Sequence, residues 1–186
     1  MASVAAFKIQ QNDAVMYFQK ALKLTEDNDD KLQSATIRFN LANIFLSRTD
    51  YKTAHEYGTE AYALLKEIDD KQYLPLIKGL LAVTTLHTNN NLTVADDYAT
   101  KALALSKENN NIQGLLLGYY AKGEVLVKQD KFLEAIEPLK NAKELGEKFQ
   151  QKQIVTSTGA SLLVCYLGLK DYNKAINEGL KTLELA

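Results

Sequence analysis

Pairs of alanines recur along this chain at a nearly constant interval. The first alanines of successive pairs are 40 or 41 residues apart, and in four of the five copies a second alanine follows seven positions later. The pairs are Ala14 and Ala21, Ala54 and Ala61, Ala95 and Ala102, Ala135 and Ala142, and finally Ala175 with Thr182 in the second place. A fixed period of this length is typical of repeat proteins, in which each unit is one supersecondary element stacked on its neighbours.

The spacing of apolar residues divides each period into two helices joined by a short polar turn. We refer to them as the A helix and the B helix of a unit. The predicted array comprises a half repeat at residues 1–30 and complete repeats at 31–70, 71–111, 112–151 and 152–186. The expected fold is therefore all-α, a right-handed superhelical solenoid of antiparallel helix pairs. Since the first A helix and a polar capping helix are both missing, we expect a fragment of a larger protein.

Small residues explain how such helices can pack. Two antiparallel helices approach each other closely only where their side chains are small, so the repeated alanines predict the buried seams between helices. The bulky residue three positions before the anchor alanine is expected to fill the turn end of the same seam. These residues are Tyr51, Leu92, Phe132 and Tyr172.

Two local features carry expectations of their own. Pro138 falls inside the B helix of the third complete unit, where a proline removes a hydrogen bond and crowds the preceding turn. We therefore expect a kink or a delayed helix start near residues 134–137. The extra residue of the second complete unit is placed in the turn Asn89-Asn90-Asn91, because turns tolerate insertions.

Composition narrows the classes of function. The net charge is −1, and no run of basic residues is present to bind nucleic acid. The single cysteine, Cys165, and two histidines offer neither an intrachain disulfide nor a familiar metal site. A glycine-rich phosphate loop, an HExxH motif and a nucleophile elbow are all absent. We therefore expect no enzymatic activity, no metal and no cofactor.

Neither a signal peptide nor a membrane span is expected. Residues 1–7 lack a charged segment followed by a long apolar one. The longest uncharged run, residues 153–169, contains several hydroxyl side chains and coincides with a repeat helix. Together with the absence of disulfides, this indicates a cytoplasmic protein that does not enter the membrane.

The residues of the repeat resemble the tetratricopeptide repeat. The family pattern places a small residue after a leucine, then an aromatic residue and spaced alanines. The resemblance rests on Leu41-Ala42-Asn43-Ile44-Phe45 with Tyr51, Ala54 and Ala61, on Gly123 with Ala135, Leu139 and Ala142, and on Tyr166 with Tyr172 and Ala175. It covers about residues 12 to 186. The 40-residue period, longer than the usual 34 of the family, is similar to arrays in bacterial peptide-sensing regulators, sensor kinases and cargo or polarity adaptors.

The resemblance implies that a peptide or protein segment binds in the concave groove lined by the A helices. Asn43 is the strongest candidate, since an amide both donates to and accepts from a peptide backbone and the family often uses that position so. His55, on a B helix, is expected on the outer surface. The full set of candidate groove residues is Asn40, Asn43, Ser47, Lys78, Thr84, His87, Tyr120, Glu124, Lys128, Ser157 and Ser161.

Three interpretations of the function stay open at this point. The first is a non-catalytic binding scaffold, one module of a larger regulatory or adaptor protein. The second is a self-assembly element that forms a homo-oligomer through its terminal repeats. The third is a peptide-sensing input domain of a bacterial signalling regulator, in which the peptide changes the curvature of the array. The sequence does not identify the partner, the flanking domains or the oligomeric state.

Overall fold

The computed structural model describes residues 2–88 and 91–185, with the side chains of 12–88 and 91–184. Within this part of the chain there are nine helices and no strand. The helices are α1 (Ala2–Asp27), α2 (Lys31–Ser47), α3 (Tyr51–Glu67), α4 (Leu74–Thr88), α5 (Leu92–Glu108), α6 (Ile112–Lys128), α7 (Phe132–Lys148), α8 (Lys152–Gly168) and α9 (Tyr172–Leu185). Short connections make consecutive helices antiparallel, so the A helices α2, α4, α6 and α8 all point the same way.

Local sequence signals define the helix ends. A non-glycine residue with φ between 49° and 59° follows most helices, and such residues are Asp29, Thr49, Asp69, Asn110, Asp130, Gln150 and Lys170. A residue in this left-handed conformation ends the preceding helix, because the backbone N–H groups that follow can then bond the last carbonyl oxygens of the helix. The side chains of Asp30, Asp50, Asn91 and Asn111 then accept a hydrogen bond from the backbone three residues on. The turn Asn89-Asn90-Asn91, where we placed the extra residue, lies mostly outside the described residues.

The expected delay of the helix around Pro138 is wrong. Helix α7 begins at Phe132 and continues without interruption through Pro138 to Lys148. Its buried residues Ala135, Leu139 and Ala142 lie on both sides of the proline. Their packing against α6 and α8 holds the helix together across the one hydrogen bond that proline cannot make.

The repeated alanines lie in the buried seams between helices. Those of the complete repeats are at most 1% exposed: Ala54, Ala61, Ala95, Ala102, Ala135, Ala142 and Ala175. Those of α3, α5 and α7 lie on B helices that pack between two A helices, and Ala175 lies on α9, which packs against α8. The structure thus confirms an all-α helical repeat fold with alanine-lined contacts.

Helix α4 lies at the centre of the packing. All its residues from Pro75 to Leu86 are buried, because α3, α5 and α6 cover it. It approaches α6 closely at Gly79, where a Cβ atom would lie 2.7 Å from the Cβ atom of Leu117. This approach draws the A helices together on one face of the array. None of the described helices combines the length and the apolar character needed to cross a membrane.

Candidate binding groove

A cavity of about 270 Å³ opens on the face formed by the A helices. Side chains from α2, α4, α6 and α8 line it, and Tyr51 at the start of α3 lies at one side. The lining residues are Asn43, Leu46, Ser47, Tyr51, Val83, Gln113, Leu116, Leu117, Tyr120, Gln151, Gln153, Ile154 and Ser157. No Asp, Glu, Lys, Arg or His occurs among them. All four complete repeats therefore contribute to a single uncharged groove.

The floor of the groove is apolar. Val83, Leu116 and Leu117 are at most 5% exposed and come from the tightly packed helices α4 and α6. Leu46 of α2 and Ile154 of α8 pack partly buried against the same core from opposite sides. The curvature of the array thus brings the first and fourth A helices to one site, where apolar ligand groups can be removed from water.

Four amide side chains line the groove beside the floor. Asn43 lies on α2, Gln113 on α6, and Gln151 and Gln153 at the start of α8. A primary amide has two donor hydrogens and an acceptor oxygen, as a peptide backbone has both a donor and an acceptor at each residue. The amides can therefore bond the backbone of an extended segment while its apolar side chains contact the floor.

Tyr120 on α6 and Ser157 on the neighbouring A helix α8 bring two hydroxyl groups to the groove. Burial, and then the charge of Glu124, raise the pKa of Tyr120 far above its ordinary value, while a hydrogen bond with Ser157 acts in the opposite direction. The phenol is therefore protonated at every physiological pH. It keeps a hydrogen that it can donate to Ser157 or to a ligand.

A carboxylate lies one helical turn beyond this pair. The hydroxyl group of Ser161 donates a hydrogen bond to Oε1 of Glu124. Burial raises the pKa of Glu124, whereas Ser161 and, more weakly, Lys128 lower it. Glu124 in turn adds to the effect of burial in raising the pKa of Tyr51. The charge of the carboxylate therefore acts on the tyrosine at the start of α3 that lines the groove.

His87 lies against Tyr51 near the same end of the groove. Its ring stacks on Tyr51 with 3.9 Å between the ring centroids and 10° between the planes. Burial lowers the pKa of His87, and the charge of Lys128 lowers it further. The imidazole is consequently neutral at pH 7, so it contributes an aromatic surface rather than a positive charge.

The predicted groove residues divide into three groups. Asn43, Ser47, Tyr120 and Ser157 line the cavity. His87 stacks on the lining residue Tyr51, Glu124 and Ser161 bond each other one helical turn beyond Tyr120 and Ser157, and Lys128 is exposed one turn beyond Glu124. Asn40 is half-buried on α2 and lies outside the cavity lining.

Lys78 and Thr84 require a correction, because both point away from the groove. Lys78 is 9% exposed, with Nζ 3.2 Å from the hydroxyl oxygen of Tyr62 and 4.5 Å from the centroid of that ring. Thr84 is fully buried, and its Oγ1 lies 2.9 Å from Nδ1 of His55. His55 is accordingly half-buried rather than on the outer surface. The reason is that α4 has neighbours on several sides, so few of its side chains reach the concave face.

Several groove residues were missed by the sequence interpretation. Tyr51 was expected to fill a seam at the turn but lies in the groove instead. The glutamines near the starts of α6 and α8, and the apolar residues of the floor, had no candidate role. One usable signal was present for Leu46: it follows Asn43 by three positions and so shares its helix face.

Comparison with known proteins supports the repeat architecture. A family model described as tetratricopeptide repeat matches residues 2–67. No curated protein sequence matches the chain. Among solved structures, aspartyl phosphate phosphatase F from Bacillus subtilis is similar with a TM-score of 0.69 and 17% identity, covering 96% of this chain and 48% of that one. The apo form of RapI is similar with a TM-score of 0.65 and 18% identity, covering 96% and 50%.

A third similar structure is a kinesin light chain of Podospora anserina with nearly identical TPR-like repeats. Its TM-score is 0.63 at 12% identity, and the match covers 96% of this chain and 87% of that one. At these identities the likeness concerns the fold alone. The chain spans about half the length of the first two structures.

Proposed function

Because the chain is a tetratricopeptide-repeat protein, we propose that it binds an extended peptide or protein segment in the groove between its A helices. The observation that carries this proposal is the presence of four amide side chains beside an apolar floor. Such a site matches a segment whose backbone bonds the amides and whose apolar side chains enter the groove. We propose that this groove works as the binding module of a cytoplasmic regulatory or adaptor protein.

The proposal predicts that Asn43→Ala weakens peptide binding about tenfold, the loss of roughly one net hydrogen-bonding group. The ligand would be the tightest peptide selected from a library of nine-residue segments, and fluorescence anisotropy would give its dissociation constant. Asn40→Ala is the matched control, since Asn40 lies three residues away on the same helix but outside the cavity lining. Equal affinity of the Asn43→Ala variant and the unaltered protein would contradict the assignment of the groove.

A second candidate function is self-assembly through the last repeat. Tyr172, Ile176, Leu180 and Leu183 are each at least 58% exposed and form a shallow apolar groove along α9 together with Leu163 and Leu167. In the preceding repeats, the A helix of the next unit covers the corresponding face of the B helix. An exposed apolar face of this kind favours contact with another chain.

Self-assembly predicts a rise in mass with concentration. Sedimentation velocity over a hundredfold concentration range would show dimers or longer chains, and Leu183→Lys would return the protein to monomers. A monomer at every concentration would exclude this candidate for the chain and leave the groove as its working surface.

A further inference from the structure

The two ends of the groove differ in charge. Gln113, Gln151 and Gln153, close to the starts of α6 and α8, form one end, which is neutral. The other end lies toward the C-termini of the parallel A helices, where Ser47, Tyr51 and Glu124 are found. The carbonyl groups at helix C-termini carry partial negative charge. The carboxylate of Glu124 therefore adds a full negative charge at the end of the groove that the helix dipoles already make negative.

Glu124 has few partners for a half-buried carboxylate. Ser161 donates one hydrogen bond to it. Within residues 12–88 and 91–184, no Lys, Arg or His nitrogen lies within 4.0 Å of its oxygens. Lys128, one turn further along α6, is exposed; its charge lowers the pKa of Glu124 slightly, but it forms no ion pair with the carboxylate. A serine hydroxyl leaves most of the acceptor capacity of the two oxygens unused.

Partial removal of a carboxylate from water without a counter-ion is unfavourable, and a ligand cation that reaches the carboxylate offsets this cost. Aromatic rings stand beside it. Tyr51 and Tyr120 both line the groove, and the charge of Glu124 acts on both phenols. The faces of such rings attract a cation, most strongly when it is shielded from water. The neutral ring of His87 stacks behind Tyr51 and introduces no competing positive charge at pH 7.

We infer that the end of the groove lined by Tyr51 and Tyr120, with Glu124 one helical turn beyond Tyr120, is a subsite for a cationic group of the bound peptide. This inference rests on the proposed function and specifies the ligand: an extended segment with apolar side chains and one ammonium or guanidinium group at one end. The cation would meet Glu124, and the rest of the segment would run toward the glutamines at the starts of α6 and α8. Glu124 thereby sets the direction in which the peptide lies.

A cationic group can come from a Lys or Arg side chain or from a free peptide N-terminus. Three versions of the selected peptide distinguish these sources. The first carries the free N-terminus and any terminal Lys or Arg, the second has an acetylated N-terminus, and the third has each Lys or Arg replaced by glutamine. Weaker binding of the acetylated peptide identifies the free N-terminus as the source of the charge. Weaker binding of the glutamine-substituted peptide identifies the Lys or Arg side chain.

The decisive measurement compares Glu124→Gln with the unaltered protein against these peptides by fluorescence anisotropy. Glutamine keeps the size of the side chain and an acceptor for Ser161 but removes the charge. We expect Glu124→Gln to bind the cationic peptide about ten- to a hundredfold more weakly and the uncharged version nearly as well as before. Glu108→Gln is the matched control, because it makes the same change of net charge at an exposed position at the end of α5.

The possible results distinguish a failure of the subsite inference from a failure of the proposed function. If the ratio of the dissociation constants for the cationic and the uncharged peptide is the same in Glu124→Gln as in the unaltered protein, the subsite is excluded. The proposed binding groove is not affected by that result. If Glu108→Gln loses as much affinity as Glu124→Gln, the effect is one of net charge, and the subsite is likewise excluded. If Asn43→Ala has no effect on either peptide, it is the proposed function that fails.

Discussion

Replacing Gly79 with alanine is expected to lower the free energy of unfolding by about 1–3 kcal/mol, although alanine is the better helix former. The added Cβ atom would lie 2.7 Å from the Cβ atom of Leu117 and 3.5 Å from the backbone nitrogen of Gly118. Neither atom is the end of a flexible side chain, so α4 and α6 must separate to admit it. Urea unfolding followed by circular dichroism measures the change.

Gly179→Ala is the matched control for this prediction. It introduces the same methyl group into α9, where the nearest atoms are the side-chain carbons Cδ1 and Cδ2 of Leu163 at 3.7 and 3.8 Å. Ordinary van der Waals contact and higher helix propensity are expected to stabilise this variant by roughly 0.5–1 kcal/mol. The idea of a tight α4–α6 contact fails if both variants are stabilised to the same extent.

The same substitution also bears on binding. Val83, Leu116 and Leu117, which form the floor of the groove, belong to α4 and α6. Separation of these helices would widen the floor and reduce its contact with a ligand. We therefore expect Gly79→Ala to weaken peptide binding in the anisotropy measurement, whereas Gly179→Ala leaves it unchanged.

Replacing Ala54 with leucine is expected to destabilise the fold by about 1–3 kcal/mol through overpacking. Ala54 is fully buried in the seam that α3 shares with its neighbours. One turn further along α3, a Cβ atom at Gly58 would already lie 2.8 Å from Cδ2 of Leu80. This seam therefore has no room for three additional carbon atoms unless the helices move apart.

Ala63→Leu makes the matched change on the exposed face of the same helix. Leucine and alanine differ little in helix propensity, so we expect a change within about 0.5 kcal/mol of zero. Comparable losses of stability in Ala54→Leu and Ala63→Leu, measured by urea unfolding, would show that burial in the seam is not the cause.

Much of the architecture could be predicted from the sequence because its causes are local. Asp30 and Asp50 begin helices through hydrogen bonds to residues three positions on, and Asp29 and Thr49 end them by adopting a left-handed conformation. Each such event depends on a few adjacent residues. The predicted positions of the helices therefore agree with the structure within a few residues, except around Pro138, where packing of Leu139 and its neighbours overrides the local preference.

The groove was less predictable. Asn43 and Tyr120, which were proposed from helix register, both line the cavity, and whether they bind a ligand stays a prediction. Register failed for Lys78 and Thr84, since α4 is surrounded and its polar side chains meet Tyr62 and His55 instead. Tyr51 was predicted to lie in a seam between helices. The residues near it in the sequence do not indicate that its ring stacks on His87.

By itself, the sequence determined the number and spacing of the helices and the buried alanine seams, because these follow from contacts repeated every 40 residues. Only the tertiary structure decided what the groove contains. Leu46 and Ile154 meet the same core although more than 100 residues separate them in the chain. Their convergence depends on the curvature that accumulates over the stacked repeats and on the close approach at Gly79. Those are properties of the packed array rather than of any single repeat.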